Sequence, residues 1–194
     1  MGVPRSGTTA VTHAINCHPL AFCGMEAFSI DDSHKEISFP QSFDHQLSRI
    51  TGERHQVLKR LLESKRATAT VIGNKEPRYD LALKKIFREL PHVRLIFVYR
   101  NPSEFLDSWN RRAHDGADET WHRGQRGLFG VLSLFSYMRS LRQIDSDGLV
   151  LPYRAFSRDV AGTTTQIIRY LGIEMDFRWL TRRPSSSSRS PRPR

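Results

Sequence analysis

Cysteine is nearly absent from this chain of 194 residues: Cys17 and Cys23 are its whole supply. A disulfide framework is therefore excluded, and neither cysteine has the second Cys or His pair that a zinc site requires. Long apolar runs are missing too. No stretch approaches the roughly 20 apolar residues of a membrane span, and the N-terminus has no basic region leading into an apolar run. Neither a span nor a signal peptide is expected, and a reducing cytoplasm fits best. Internal repeats are absent. Acidic residues are absent from positions 182–194, where Arg182, Arg183, Arg189, Arg192 and Arg194 lie. Subtracting those five arginines from the formal net charge of +10 leaves +5. A body so mildly basic suits electrostatic steering of a polyanionic small molecule, and equally suits weak non-specific contact with RNA or DNA. No nucleic-acid recognition signature accompanies the charge, so specific nucleic-acid binding is not expected.

One further absence is the most informative. Gly2-Val3-Pro4-Arg5-Ser6-Gly7-Thr8-Thr9 has the Gly-x-x-x-x-Gly frame of a phosphate cradle, but Thr8 stands where nucleoside triphosphatases place their lysine. Arg5 lies inside the loop instead and offers a planar, permanently charged donor fork to an anion. Residues 8–18 read as a helix, whose positive end would add to the same site. A plain helix capped by Ser6 or Thr8 is the competing reading.

Elements then alternate along the chain. The first helix is expected to end before His18-Pro19. A polar stretch over 31–43 reads as a lid, and Leu47, Ile50, Val57, Leu58, Leu61 and Leu62 space out a helix over about 44–65. The β-branched run 68–73 predicts a buried strand leading into Asn74-Lys75-Glu76-Pro77. A helix through Leu81, Leu83, Ile86, Phe87 and Leu90 follows. Residues 93–99 are almost continuously apolar, as a parallel strand covered on both faces should be, and Arg100-Asn101-Pro102 ends it. Helices over about 103–113 and 124–144, a strand over 149–153, and a helix over 158–171 ending at Gly172 complete the series. The pattern predicts a three-layer α/β fold, with a P-loop-like parallel sheet flanked by helices and ligands at the strands' C-terminal ends. Residues 1–181 form the expected domain. The Ser/Pro/Arg-rich tail 182–194 has nothing with which to build a core.

Four separated segments place polar groups where such a sheet would bind: the opening loop, Glu26, Lys75, and Arg100 through Arg112. Ser108 and Arg112 stand eight and twelve residues after Arg100, and their i, i+4 spacing puts them on one helix face. Singly, each has a plainer reading as a solvated or ion-paired side chain. Together they resemble the sulfotransferases that use 3'-phosphoadenosine 5'-phosphosulfate, PAPS, over about residues 2–172. Gly2 to Thr9 is similar to that family's 5'-phosphosulfate loop, and Tyr99-Arg100-Asn101-Pro102 through Ser108 to its 3'-phosphate segment. The likeness sharpens toward tyrosylprotein sulfotransferases in the opening loop, His18-Pro19, Cys23-Gly24 and Glu26, and in Asn74-Lys75-Glu76-Pro77, where that group has Asn-Lys-Asp-Pro. The resemblance implies Glu26 as catalytic base and Lys75 as an aid to transfer. It implies Arg5, Ser6, Gly7, Thr8 and Thr9 around the 5'-phosphate, and Arg100, Ser108 and Arg112 around the 3'-phosphate, with no metal.

Chemistry makes sense of those types. Sulfuryl transfer to a hydroxyl or amine needs a base on the acceptor, and a carboxylate with a pKa raised by desolvation can serve. Charge developing on the leaving phosphate is stabilised by a nearby cation, for which Lys75 and Arg5 are placed. His13, His18 and His114 have no comparable context, and Trp109, Trp121 and Tyr153 could stack on adenine or an acceptor but as large aromatics are more often core. Two alternatives stand beside this reading: a catalytically impaired piece that binds PAP, PAPS or polyanions, and a P-loop kinase. Against the kinase, the strongest apolar strand ends in Arg100 where a magnesium-holding Asp would be needed. The loop begins at residue 2, so the sheet is expected to lack the central strand that precedes this loop in the family.

Overall fold

The computed structural model of the chain describes residues 2, 5–25, 56–76, 92–114, 128–142 and 148–173. Glu26, the lid over 31–43, the first half of the 44–65 helix, the 81–90 helix, Trp121 and the tail lie outside the described residues. Helix α1 spans Thr8–Asn16, and strand β1, Ala21–Met25, follows. Helix α2 spans Gln56–Ser64, and strand β2 Val71–Lys75. Strand β3, Ile96–Tyr99, leads into helix α3, Pro102–His114. Helix α4 is Leu128–Leu141. Strand β4, Leu149–Pro152, is followed at once by the short α5, Tyr153–Arg158, and by α6, Val160–Tyr170.

The described strands form two pairs, each parallel within itself. β1 runs beside β2 with Ala21 opposite Val71 and Met25 opposite Lys75. β3 runs beside β4 with Ile96 opposite Leu149 and Tyr99 opposite Pro152. Among the described residues no strand joins the pairs. Gly2 abuts the carbonyl of Val98 in β3, while α1 packs on β1 and β2, so the opening loop and its helix touch both pairs. One hydrophobic core nevertheless spans both pairs: Val11, Ala14 and Ile15 of α1 meet Ala21, Val98, Leu151, Phe156, Ile167, Ile168 and Ile173. Val98 and Phe97 are consecutive and both buried, so β3 is covered on both faces, as its apolar run predicts.

Local signals account for most element ends. Asp159 caps α6 by accepting from the Gly162 amide at 2.8 Å. The same helix closes as foreseen at Gly172: the Gly172 amide donates to Arg169 O at 2.9 Å and the Ile173 amide to Ile168 O at 3.2 Å. Two expectations need correction. The strand expected over 68–73, with Asn74-Lys75 after its end, is displaced to 71–75, so Lys75 is its last residue. Strand β1 and helix α5 have no counterpart in the sequence reading. Trp109 is core, the reading favoured for a large aromatic: it is 4% exposed, meets Phe105 at 5.5 Å between ring centroids, and lies against Gly130 of α4.

Candidate functional site: an anion cradle at the strand ends

The opening loop is built by its backbone. Arg5 adopts φ 75° and Gly7 φ 97°, both in the left-handed region. The first conformation costs a non-glycine residue on the order of 1–3 kcal/mol. At Gly7 glycine is required twice over, because a β-carbon there would also overlap the Tyr153 ring. Gly7 is the N-cap of α1, and no side chain caps the helix, which removes the reading of Ser6 or Thr8 as simple caps. The positive end of α1 therefore opens into the loop. Ser6 is fully buried, and its hydroxyl has no hydrogen-bond partner among the described residues. Buried hydroxyls rarely go unsatisfied. Thr8 is buried and Thr9 exposed at the start of the helix.

The strained Arg5 reaches across the fold. Its Nε donates to Ser108 Oγ at 3.0 Å, joining residues 103 positions apart. Ser108 is buried in α3, and Arg112, half-buried, follows one turn later on the same face. The hydrogen bond thus brings the expected 5'-phosphate loop into contact with the expected 3'-phosphate segment. Arg100 leaves β3 beside them. Its Nε donates to Glu104 Oε2 at 3.2 Å, and its Cζ lies 5.3 Å from the centroid of the Tyr153 ring. Asn101 caps α3 by accepting from the Ser103 amide at 3.0 Å and from the Ser103 hydroxyl at 2.8 Å.

Lys75 is buried at the end of β2, opposite Met25. Met25 immediately precedes Glu26 in sequence, although Glu26 lies outside the described residues. The path of β1 toward that position is held from two sides. Asn16 grips the backbone of Cys23, donating to its carbonyl at 2.9 Å and accepting from its amide at 2.8 Å. Lys65 is 2% exposed, and its ammonium donates to the carbonyls of Asn16, His18 and Ala21, the last two at 2.8 Å. Burial pulls the Lys65 ammonium down to about 8, although three carbonyl acceptors favour its protonated form. Burial, and then the Lys65 charge, lower the pKa of His18, whose Nδ1 accepts from the Leu20 amide. Burial likewise raises the Cys23 thiol.

Sequence reasoning missed Glu104, Lys65 and Asn16. The i, i+4 spacing of Arg100 and Glu104 was a usable signal, whereas no local pattern marks a lysine whose acceptors lie more than forty residues away. Among the described residues no cluster of His, Cys, Asp or Glu could hold a metal, and no helix is long and apolar enough to cross a membrane.

A family model described as the sulfotransferase family matches residues 1–177. No curated protein matches the sequence significantly. Among solved structures, the sulfotransferase domain of the Synechococcus PCC 7002 olefin synthase superposes with a TM-score of 0.58 at 17% identity, over 92% of this chain and 74% of that one. A sulfotransferase from Alicyclobacillus acidocaldarius gives 0.57 at 18% identity, over 91% of this chain and 81% of that one.

Proposed function

Because this chain belongs to the sulfotransferase family, we propose that it moves a sulfuryl group from PAPS to a hydroxyl or amine acceptor, with Glu26 as general base. The observation that carries the donor assignment is the Arg5–Ser108 hydrogen bond, which brings two anion-binding segments to one place. The residues present fit a nucleotide bisphosphate. Ser6 offers an unsatisfied buried hydroxyl, α1 opens uncapped into the loop, and the Nη groups of Arg100 have no hydrogen-bond partner among the described residues. When bound, PAPS supplies an activated sulfuryl group on a phosphate leaving group.

The chain's own residues then divide the work. Ser6, Gly7, Thr8 and Thr9 surround the 5'-phosphate with hydroxyls and helix-end amides. Arg5 donates to Ser108 through Nε, which leaves the Ser108 proton to be donated onward, so the two side chains orient each other. Arg100, Ser108 and Arg112 read the 3'-phosphate. Lys75 and Arg5 stabilise negative charge as it grows on the leaving oxygen. Glu26 takes the acceptor's proton, one residue beyond the strand end that stands opposite Lys75.

Labelled PAPS offered with a panel of hydroxyl and amine acceptors tests the activity. Calorimetric titration with PAP, the desulfated product, tests the site. Saturable PAP binding and a loss of about 10²–10⁴ in transfer rate for Glu26→Gln, at unchanged PAP affinity, are expected. PAP binding that does not saturate would refute the donor assignment. Transfer unaffected by Glu26→Gln would refute the base.

A further inference from the structure

Arg100 is held by contacts that use neither of its terminal amino groups. Nε is engaged by Glu104 at 3.2 Å, and Cζ lies over the Tyr153 ring, 5.3 Å from its centroid. The backbone beneath is fixed as well, since Asn101 caps α3 through its side chain and its carbonyl accepts from the Phe105 amide at 2.8 Å. Tyr153 is braced in turn by Phe156, a buried core residue with its ring centroid 6.2 Å away. The same Tyr153 ring sits directly against Gly7 of the opening loop. A rigid chain of contacts thus runs from the core through Phe156 and Tyr153 to both Gly7 and Arg100.

From this we infer that Glu104 and Tyr153 are positioning residues that aim the two Nη groups of Arg100 at the 3'-phosphate and set preference for a 3'-phosphorylated nucleotide. The inference rests on the donor site proposed above. Its physical basis is preorganisation. A guanidinium engaged at Nε and resting over an aromatic ring presents its remaining edge as a fork matched to a phosphate, and less rotamer freedom is left to lose on binding. The Arg100–Glu104 pair is too exposed to matter much for stability, with side chains 23% and 43% accessible. Its contribution is to direction. Glu104 is also an anion beside the phosphate position, and as a competitor it would weaken binding; its place on Nε, away from the Nη edge, argues for alignment instead.

The two roles predict opposite results. Titration of the full chain with PAP and, separately, with adenosine 5'-phosphate reads the preference for the 3'-phosphate as a ratio of affinities. Glu104→Gln is expected to weaken PAP about three- to tenfold and leave adenosine 5'-phosphate unchanged. Tyr153→Leu is expected to weaken both ligands, because the ring also supports Gly7, while Tyr153→Phe keeps the aromatic face and restores wild-type preference. Glu104 is at the surface, so its variant remains informative even where Tyr153→Leu fails to fold. Tighter PAP binding by Glu104→Gln, or an unchanged ratio in that variant, would overturn the positioning role alone. A wild-type chain that binds both ligands equally would overturn the 3'-phosphate reading itself, and the positioning role with it.

Discussion

Gly7 shows how much of this site hangs on one backbone angle. Its φ of 97° and the overlap that a β-carbon there would have with the Tyr153 ring leave no room for a side chain. Gly7→Ala should destabilise the fold by about 1–3 kcal/mol, through left-handed strain and displacement of the ring. Chemical denaturation measures that loss. A larger proportional fall in PAP affinity is expected with it, since the ring that moves also faces Arg100. Arg5 makes the complementary point. A residue that accepts a strained conformation in order to reach Ser108 is held there by the surrounding fold, and strain of that kind gathers at functional sites.

Among the elements, β1 is the one whose position most needs explaining, because it is short, contains Gly24, and pairs with a strand fifty residues on. Its ladder to β2 satisfies one edge. At Cys23 the other edge is closed by the Asn16 side chain, which imitates a neighbouring strand by offering both a donor and an acceptor. Asn16→Ala leaves that amide and carbonyl unpaired and should cost about 1–3 kcal/mol. Faster hydrogen exchange at the Cys23 amide than at β3 would localise the effect, whereas uniform acceleration would show that β1 unfolds only with the whole. Helix α6 offers a simpler case: Asp159→Ala removes its cap and should cost about 1 kcal/mol in denaturation.

For the whole molecule, Lys65 connects electrostatics to global stability. Its ammonium gathers three carbonyls from the turn between α1 and β1, and burial lowers its pKa from 10.5 to about 8. The sign follows from proton binding. Between those two values the unfolded chain holds the Lys65 proton and the folded chain has released it, so this residue makes stability rise with pH across that window. Lys65→Met should cost about 1–3 kcal/mol at pH 7, from carbonyls left without a donor. The gap between the two proteins should widen from pH 8 to 10, as read by denaturant midpoints at each pH. The charge of the chain carries a separate expectation. Removing residues 182–194 takes away five arginines, so polynucleotide binding should lose several units of its salt slope while PAP binding stays unchanged.

The sequence alone determined the parallel α/β class, the apolar strand ending in Arg100, helix α3, helix α6 with its end at Gly172, and the loop whose Thr8 stands in place of a lysine. These are legible because they rest on local chemistry: periodicity, caps, and the spacing of charged groups within one segment. Only the tertiary structure decided that Arg5 meets Ser108, that Tyr153 lies between Gly7 and Arg100 as a support, and that Lys75 ends its strand opposite Met25. It also decided that β1 is a strand. Each of these depends on residues far apart along the chain, and such contacts exist only once burial of the shared core has brought them together.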